Sequence, residues 1–222
     1  VELMEPAVKG TLNVLKACSE AEVKRVIYVS SVAAVSINPN WPAGQVKDES
    51  CWSDKEYCKR TNKWYCASKT EAEIEAFDYA KRSGLDVVSV CPGLVLGPMM
   101  QSTVNASSNV LISLLKGDES PENKVRMIVD VRDLAAALLM VFEKPEAEGR
   151  YICTAHHIRV RDLVDKLRSI YPHYNYPIKV TEVVANGDRG LSSEKLQNLG
   201  WNYRPLEETL VDAIESYKML GQ

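Results

Sequence analysis

Two short apolar runs constrain what this chain of 222 residues folds into. RVIYVSS covers residues 25–31, and DVVSVCPG covers residues 86–93. Both have the length of a strand, are rich in valine, and lack the polar alternation of a strand that faces water on one side. We therefore predict two fully buried strands of the kind that parallel sheets contain. Serines end the first run, and Pro92-Gly93 breaks the second.

Helical periodicity fills the segments before and between these strands. In residues 6–22, apolar side chains recur on one stripe at positions 8, 12, 15 and 18, after a proline near the first turn. Residues 36–53 are rich in Asn, Pro, Gly and Ser and predict a long loop. A second helix is predicted over residues 63–82, with Gly84 as its stop signal. The alternation of helix and strand is typical of an α/β fold with a parallel sheet.

The pattern becomes less regular after Pro98. A strand within residues 124–129 is followed by Asp130, which we predict to cap the next helix. We expect this part to be a mixed lobe that faces the substrate rather than an independent domain. The other predicted elements are a strand within residues 149–154 and helices within residues 104–117, 131–144, 159–172, 191–201 and 205–222.

Composition argues against several classes of function. The net charge is −3, and acidic and basic side chains are interspersed, so no basic stripe indicates binding to nucleic acid or to an anionic membrane surface. No apolar run approaches the roughly 18 residues of a membrane span. The six cysteines have no CxxC spacing, which predicts reduced thiols in the cytoplasm and no zinc or other metal site. A redox-sensitive disulfide between Cys58 and Cys66 stays open.

Candidate site residues follow from the predicted sheet. In an open parallel sheet, ligands bind outside the carboxyl ends of the strands. Ser30 and Ser31 end the first strand, and a Pro-Gly break ends the second. Tyr65 and Lys69 lie four residues apart on the helix between them, so both side chains are predicted to project from one face of that helix.

This arrangement suits proton transfer to a carbonyl oxygen. A free tyrosine titrates near pH ~10, and a nearby ammonium lowers the pKa of the phenol. A serine hydroxyl holds the carbonyl, and the tyrosine protonates the alkoxide that forms when hydride arrives from a nicotinamide. The alternative is an ordinary helix pair, because a single Tyr-x-x-x-Lys occurs easily by chance among ten tyrosines. The serine and the Pro-Gly break at the strand ends favour the catalytic interpretation.

Two other features are interpreted as structural. The acidic run KTEAEIEAF, residues 69–77, is predicted to be a solvated helix face. His156 and His157 are adjacent, and neighbouring side chains point to different sides of a strand or helix. The histidine pair is therefore not expected to chelate one metal ion.

The motifs EPAVKGTLNVLKAC, VSSVAAV, DESCWSD, NKWYCASKTEAE, CPGLVLGP and GRYIC together resemble the extended short-chain dehydrogenase/reductases. More narrowly, the chain is similar to the plant cinnamoyl-CoA reductase and dihydroflavonol reductase group. The resemblance implies a Rossmann-type parallel sheet, NADP(H) as cofactor, and a small aromatic carbonyl compound as substrate. It implies Ser31, Tyr65 and Lys69 as the catalytic set, with Tyr65 and Lys69 also contacting the cofactor. Further cofactor contacts are implied for Pro92, Gly93, Leu94, Val95 and Ser107.

One departure from the family concerns the amino-terminal half. Members of this family open with a strand, a glycine-rich GxxGxxG turn and a helix, and the 11 glycines here include no such cluster. We therefore expect the amino-terminal strands of the sheet to be missing and to belong to the same protein. Residues 1–98 are predicted to be the later half of the NADP-binding domain, and residues 99–222 mainly a substrate-binding lobe with interleaved Rossmann elements. The alternative is a truncated, non-catalytic paralogue that acts as a binding or regulatory partner.

A second departure concerns the substrate. Cinnamoyl-CoA reductases carry a histidine and a lysine that help to recognise CoA, and the matching positions here are Val110 and Ser113. Arg150 matches a basic residue of the same set and is predicted to bind substrate together with Ser31. The resemblance therefore predicts an NADPH-dependent reductase of phenylpropanoid-type aldehydes, ketones or hydroxycinnamoyl-CoA thioesters. Free aldehydes or ketones are at least as well supported as thioesters.

Overall fold

A computed structural model describes residues 3–117, 120–183 and 190–221. The helices are α1 (Met4–Glu20), α2 (Lys55–Arg60), α3 (Trp64–Ser83), α4 (Ala106–Lys116), α5 (Val131–Glu143), α6 (Val160–Ile170), α7 (Glu194–Asn198) and α8 (Leu206–Met219), with a 3-10 turn at Val32–Ala34. The strands are β1 (Arg25–Val29), β2 (Asp86–Pro92), β3 (Leu94–Leu96), β4 (Val125–Asp130), β5 (Arg150–Cys153) and β6 (His156–Arg159).

The chain divides into two compact units that exchange segments along the sequence. The first unit comprises Val1–Pro92, Ala136–Cys153 and Arg189–Trp201. The second unit comprises Gly93–Ala135, Thr154–Asp188 and Asn202–Gln222. Among the strands, the chain passes from the first unit to the second after Pro92, at the Pro-Gly break, and again after Cys153. The predicted division at residue 98 stays a prediction.

The first unit contains a parallel sheet in the order β1-β2-β5. Ile27 pairs with Val88, and Cys91 pairs with Ile152. The predicted α/β fold with a parallel sheet is thereby confirmed. β2 is buried from Val87 onward, as the sequence predicts, because it has a strand on each side and helices across its face.

The first strand differs from the prediction of full burial. β1 is half-buried along its length, and the side chain of Val29 is 46% exposed. Within the described residues, β1 pairs with β2 alone and forms an edge of the sheet. An apolar run of this length predicts a strand, but it does not distinguish a central position from an edge position.

Helices α1 and α3 pack together against this sheet. Leu15 of α1, Ala76 of α3 and Val87 of β2 form the buried centre of that contact. Gly84 follows α3 with a φ of 75°, and its N–H donates to the Ala80 carbonyl. The predicted glycine stop is confirmed, because this left-handed conformation favours a residue without a Cβ atom.

The short helix α2 lies just beyond the predicted loop and was not predicted. Asp54 begins it by accepting a hydrogen bond from the Tyr57 backbone N–H at 2.8 Å. Lys55 then forms an ion pair with Glu71 of α3 at 2.6 Å. The N-cap aspartate was the available signal, but the helix is too short for apolar periodicity to appear.

The second unit has a mixed sheet in the order β3-β4-β6. β3 is parallel to β4, and β6 is antiparallel to β4. Its hydrophobic core is formed by residues of α4, α6 and α8 around the sheet, including Leu111, Leu163, Leu210 and Tyr217. Sequence analysis missed β3 and β6, since strands of three or four residues are too short to show a period. His156 and His157 lie on β6.

A buried acidic cluster holds the start of α5. Asp130 accepts from the Arg132 backbone N–H at 2.8 Å, as expected for a residue that caps a helix. Its carboxylate also pairs with the guanidinium of Arg132 at 2.9 Å and with that of Arg204 at 3.3 Å. Burial alone would raise the pKa of Asp130, but the hydrogen bonds from Arg132 outweigh it and lower that pKa below 3.8.

We predict that Asp130→Asn lowers the free energy of unfolding by about 1 to 3 kcal/mol at neutral pH. Arg132 and Arg204 lose their most buried carboxylate partner, although they keep ion pairs with Asp212 and Asp133. A carboxylate whose pKa is lower in the folded state stabilises above its unfolded pKa, and this stabilisation disappears as pH falls through the folded value. The difference between variant and parent should therefore shrink below a pH of 3.8. Urea titration at several pH values measures this difference in the free energy of unfolding.

Asp165→Asn is the matched control, because Asp165 pairs with Arg168 on the surface of α6 and is 62% exposed. An exposed pair of this kind contributes little, so this variant should resemble the parent at every pH. Equal effects of the two substitutions would contradict the assigned role of Asp130.

Candidate active site

The two serines after β1 have different surroundings. Ser30 extends the pairing of β1 with β2 by donating its backbone N–H to the Val90 carbonyl at 2.8 Å. Its hydroxyl is buried and donates to the Glu73 carboxylate at 2.7 Å. Ser31 is half-buried and caps the 3-10 turn, since its Oγ accepts from the Ala33 N–H at 3.1 Å. Within the described chain, the Ser31 hydroxyl donates to no protein acceptor, so its proton is available to a ligand.

Tyr65 and Lys69 project from one face of α3 near its amino-terminal end. The Lys69 Nζ atom lies 5.9 Å from the centre of the Tyr65 ring. The Tyr65 side chain is 53% exposed, and Lys69 is half-buried. Neither the phenol nor the ammonium forms a hydrogen bond with the described part of the protein. Two adjacent polar groups without protein partners are suited to binding a ligand.

Helix α3 packs directly on the 3-10 turn that Ser31 caps. Ser31, Tyr65 and Lys69 therefore belong to neighbouring elements of the first unit. The local order of these elements follows from the parallel sheet, since the chain crosses from β1 to β2 through α2 and α3. A hydroxyl donor, a phenol and an ammonium in this arrangement can hold and protonate a carbonyl oxygen.

The Pro-Gly break after β2 has a steric cause. A Cβ atom on Gly93 would lie 2.3 Å from the Met127 carbonyl oxygen, so only glycine fits this approach of two backbones. Leu94 and Val95 follow in β3 and pair with Ile128 and Val129. Pro92 belongs to the first unit, whereas Gly93, Leu94 and Val95 belong to the second. Their predicted contact with the nicotinamide stays a prediction.

Ser107 lies half-buried in the first turn of α4, in the second unit. Asn105 caps this helix by accepting from the Ser108 backbone N–H at 2.9 Å. A serine in the first turn of a helix lies beside free backbone N–H groups, which suits an anion such as a phosphate. Val110 and Ser113 are half-buried on the same helix and carry no charge.

Arg150 is placed differently from the sequence-based expectation. It is only 7% exposed, and its guanidinium lies 3.5 Å from the centre of the Trp52 ring. Its Nε and Nη2 atoms donate to Glu73 at 2.9 and 3.2 Å. Its remaining bonds go to the backbone carbonyls of Glu49, Cys51 and Ala34. All five N–H donors of the guanidinium are thus matched by protein acceptors, and none is left for a substrate.

Glu73 corrects the interpretation of the acidic run. Residues 69–77 were predicted to be a solvated face, but Glu73 has no exposed surface. It lies four residues after Lys69 on the same face of α3, and this spacing was the signal that could have identified it. Glu71 and Glu75 are half-buried, so they fit the prediction better than Glu73 does.

All six cysteines have free thiols in this structure, including Cys58 and Cys66. Burial raises the pKa of Cys58 to about 11, and burial also raises the pKa of Cys66. Protonated thiols react slowly with oxidants, because the thiolate is the nucleophile. The disulfide that the sequence left open is not formed in this structure.

Two structural features are absent from the described residues. Within residues 3–117, 120–183 and 190–221, no cluster of His, Cys, Asp or Glu side chains is placed to hold a metal ion. Within the same ranges, no helix has the length and apolar character needed to cross a membrane.

Comparison with known proteins places the chain among reductases. The model of the NAD dependent epimerase/dehydratase family matches residues 1–153. Over 223 residues, the chain is 40% identical to cinnamoyl-CoA reductase 1 of Petunia hybrida, covering 99% of this chain and 67% of that protein. The chain thus spans about two thirds of the length of the curated relatives it matches.

Two solved structures share the architecture. Vestitone reductase from alfalfa, Medicago sativa, superposes with a TM-score of 0.85 at 27% identity, over 99% of this chain and 73% of that one. A yeast methylglyoxal/isovaleraldehyde reductase complexed with NADPH superposes with a TM-score of 0.82 at 27% identity, over 98% of this chain and 71% of that one.

The Rossmann-type architecture and the resemblance expected from the sequence motifs are both confirmed by these matches. The absence of amino-terminal strands stays a prediction. Since the family model covers well over half of the residues and the petunia relative matches nearly all of them, the chain belongs to the NAD-dependent epimerase/dehydratase family and, within it, to the cinnamoyl-CoA reductase-like group.

Proposed function

We propose that this protein is an NADPH-dependent reductase of aromatic carbonyl compounds, with phenylpropanoid-type aldehydes and ketones as its substrate class. The observation that carries the proposal is the pair of Tyr65 and Lys69, which share one face of α3 and have no hydrogen-bonding partner in the described protein. Ser31, at the end of the neighbouring strand, offers a hydroxyl proton to a ligand. Reductase activity in the petunia relative and NADPH in the yeast structure support the same conclusion.

The residues of the site fit a nicotinamide cofactor and a carbonyl substrate. A bound NADPH supplies the hydride that reduces the carbonyl carbon. Ser31 donates a hydrogen bond to the carbonyl oxygen and orients it. Tyr65 then transfers its phenolic proton to that oxygen as negative charge develops there. Lys69 stabilises the resulting phenolate, because its ammonium lies beside the ring.

Two features favour free carbonyl compounds over CoA thioesters: the uncharged side chains on α4 and the burial of Arg150. CoA carries several phosphate groups, which proteins hold with Lys, Arg and backbone N–H donors. Val110 and Ser113 are uncharged. Arg150, the remaining basic candidate, donates all its N–H groups to Glu73 and to backbone carbonyls.

We predict that Tyr65→Phe, in the native polypeptide context, lowers kcat by about 10²- to 10⁴-fold, the range of general acid catalysis. The affinity for NADPH should change little, since the ring and the Lys69 ammonium remain. NADPH oxidation with a hydroxycinnamaldehyde measures the first quantity, and fluorescence titration measures the second. Tyr57→Phe is the matched control, because Tyr57 lies on α2 without a lysine four residues later.

A Tyr65→Phe variant that turns over at the parental rate would contradict the acid role. A parent protein that binds NADPH but reduces no aldehyde, ketone or thioester would instead support the binding or regulatory alternative.

We also predict that kcat/KM for a hydroxycinnamaldehyde exceeds that for the matching hydroxycinnamoyl-CoA thioester. Replacing Val110 with His and Ser113 with Lys should raise kcat/KM for the thioester by about tenfold, equivalent to about 1.4 kcal/mol of binding to phosphate. The same double substitution should leave the aldehyde value within about twofold. A parental preference for the thioester would defeat this assignment of substrate class.

A further inference from the structure

A buried charged cluster joins helix α3 to the residue after β1, to the middle of β2 and to the first residue of β5. Its centre is Glu73, whose carboxylate accepts hydrogen bonds from the Ser30 hydroxyl at 2.7 Å and from the Ser89 hydroxyl at 2.6 Å. Arg150 of β5 donates to the same carboxylate at 2.9 Å. The Cys91 thiol lies 3.4 Å from it, and burial raises the pKa of Cys91 to about 12, so that thiol stays protonated. Glu73 thus bonds to the residue that follows β1, to β2 and to β5.

The position of Glu73 on α3 relates this cluster to the proposed active site. Tyr65, Lys69 and Glu73 follow at intervals of four residues and share one face of the helix. The first two side chains form no hydrogen bond within the described residues, and the third is bonded to Ser30, Ser89 and Arg150. The depth and rotation of α3 at Tyr65 and Lys69 are therefore set by the bonds that Glu73 makes.

The same cluster fixes Ser31 through its neighbour. Adjacent residues of an extended chain project to opposite sides, so a hydroxyl of Ser30 that is bonded to Glu73 determines the backbone orientation of Ser31. Arg150 adds a second restraint, since its Nη2 atom lies 3.4 Å from the carbonyl oxygen of Ala34, at the end of the turn that Ser31 caps. Both the serine and the tyrosine-lysine pair are thus tied to one carboxylate.

Stability alone does not account for a pair of this kind. Glu73 has no exposed surface and Arg150 has 7%, so burying both charges costs free energy that their attraction barely offsets. Apolar side chains of the same volume would serve packing equally well or better. The directed bonds to Ser30, Ser89 and three backbone carbonyls give geometric definition that an apolar contact lacks.

We propose that Glu73, with Arg150 as its counter-ion, is a positioning residue that sets Ser31 against Tyr65 and Lys69 for proton transfer. This inference rests on the proposed reductase function. Under this proposal, Arg150 holds Glu73 in place and does not contact the substrate, contrary to the expectation from the sequence. Glu73 touches neither substrate nor cofactor, so its removal should affect the rate of the chemical step more than the binding of either ligand.

The first test compares Glu73→Gln with Glu71→Gln in the native polypeptide context. Both substitutions replace a glutamate of α3, but the half-buried Glu71 forms an ion pair with Lys55 of α2 instead of bonding to the strands. Glu73→Gln should lower kcat about tenfold to a hundredfold, because a displacement of about 1 Å at reacting groups costs up to that much. KM and the dissociation constant of NADPH should stay within about twofold, and Glu71→Gln should change none of these values.

A double substitution separates positioning from stability. Glu73→Gln alone leaves the Arg150 charge buried without a counter-charge, so its Tm should fall. Glu73→Gln with Arg150→Met removes both charges, and its Tm should recover toward that of the parent. If Glu73 positions the site, kcat stays low in this folded double variant. Recovery of kcat together with Tm would show a merely structural role and overturn the proposal.

Ser30→Ala keeps the test decisive if Glu73→Gln does not fold. This variant retains the ion pair and removes only the bond between Glu73 and the end of β1. It should lower kcat several-fold at an unchanged KM, since one restraint on Ser31 is lost. Parental kcat in Ser30→Ala, in a protein whose Tm is also parental, would overturn the proposal.

Amide hydrogen exchange gives a readout that does not need turnover. The Ala33 N–H bonds to the Ser31 Oγ, and the Ser30 N–H bonds to the Val90 carbonyl. Exchange over residues 30–36 should accelerate in Glu73→Gln and in Ser30→Ala but not in Glu71→Gln. If the parent reduces no carbonyl compound, the proposed function fails while this measurement still tests positioning. Unchanged exchange and unchanged kcat in both variants would reject the positioning role alone.

Discussion

The ion pair between Glu73 and Arg150 is the constraint on which the arrangement of the candidate catalytic residues depends. Neither charge reaches solvent to an appreciable extent, so each is tolerated only because the other is present and the remaining donors are matched. The pair and its hydrogen bonds connect α3 to Ser30 after β1, to Ser89 within β2, to the start of β5 and to the carbonyl of Cys51. A single carboxylate thereby connects segments that are far apart in the sequence and that contain every predicted catalytic side chain.

This organisation explains why the two serines after β1 are not equivalent. The Ser30 hydroxyl donates its hydrogen bond to Glu73, whereas the Ser31 hydroxyl accepts from Ala33 and can still donate to a ligand. A resemblance to a family can select the second serine, but the structure gives the physical reason. The same logic applies along α3, where the side chains of Tyr65 and Lys69 have no hydrogen-bonding partner within the described residues, whereas Glu73 on the same face is bonded to Ser89 and Arg150.

Local sequence patterns predicted the elements that depend on interactions between residues close in the sequence. The stripe of α1, the glycine stop at Gly84 and the break at Pro92-Gly93 all follow from periodicity or backbone conformation, and the structure has each of them. Burial of β1, the depth of Glu73 and the enclosure of Arg150 depend on partners distant in sequence, so no local pattern could reveal them. Acidic residues at intervals of two along a helix look solvated until the neighbouring sheet is known.

The burial of Arg150 also changes how substrate choice is understood. A guanidinium on β5 looks like a phosphate ligand when only its position in the sequence is known. In the structure, Glu73 neutralises the positive charge of Arg150, and backbone carbonyls accept hydrogen bonds from its remaining N–H groups. Moving it toward a CoA phosphate would leave Glu73 buried and unpaired, at a cost of several kcal/mol, roughly 3 to 5, that one exposed phosphate contact does not offset. The proposed preference for free carbonyl compounds therefore follows from the same ion pair that orders the site.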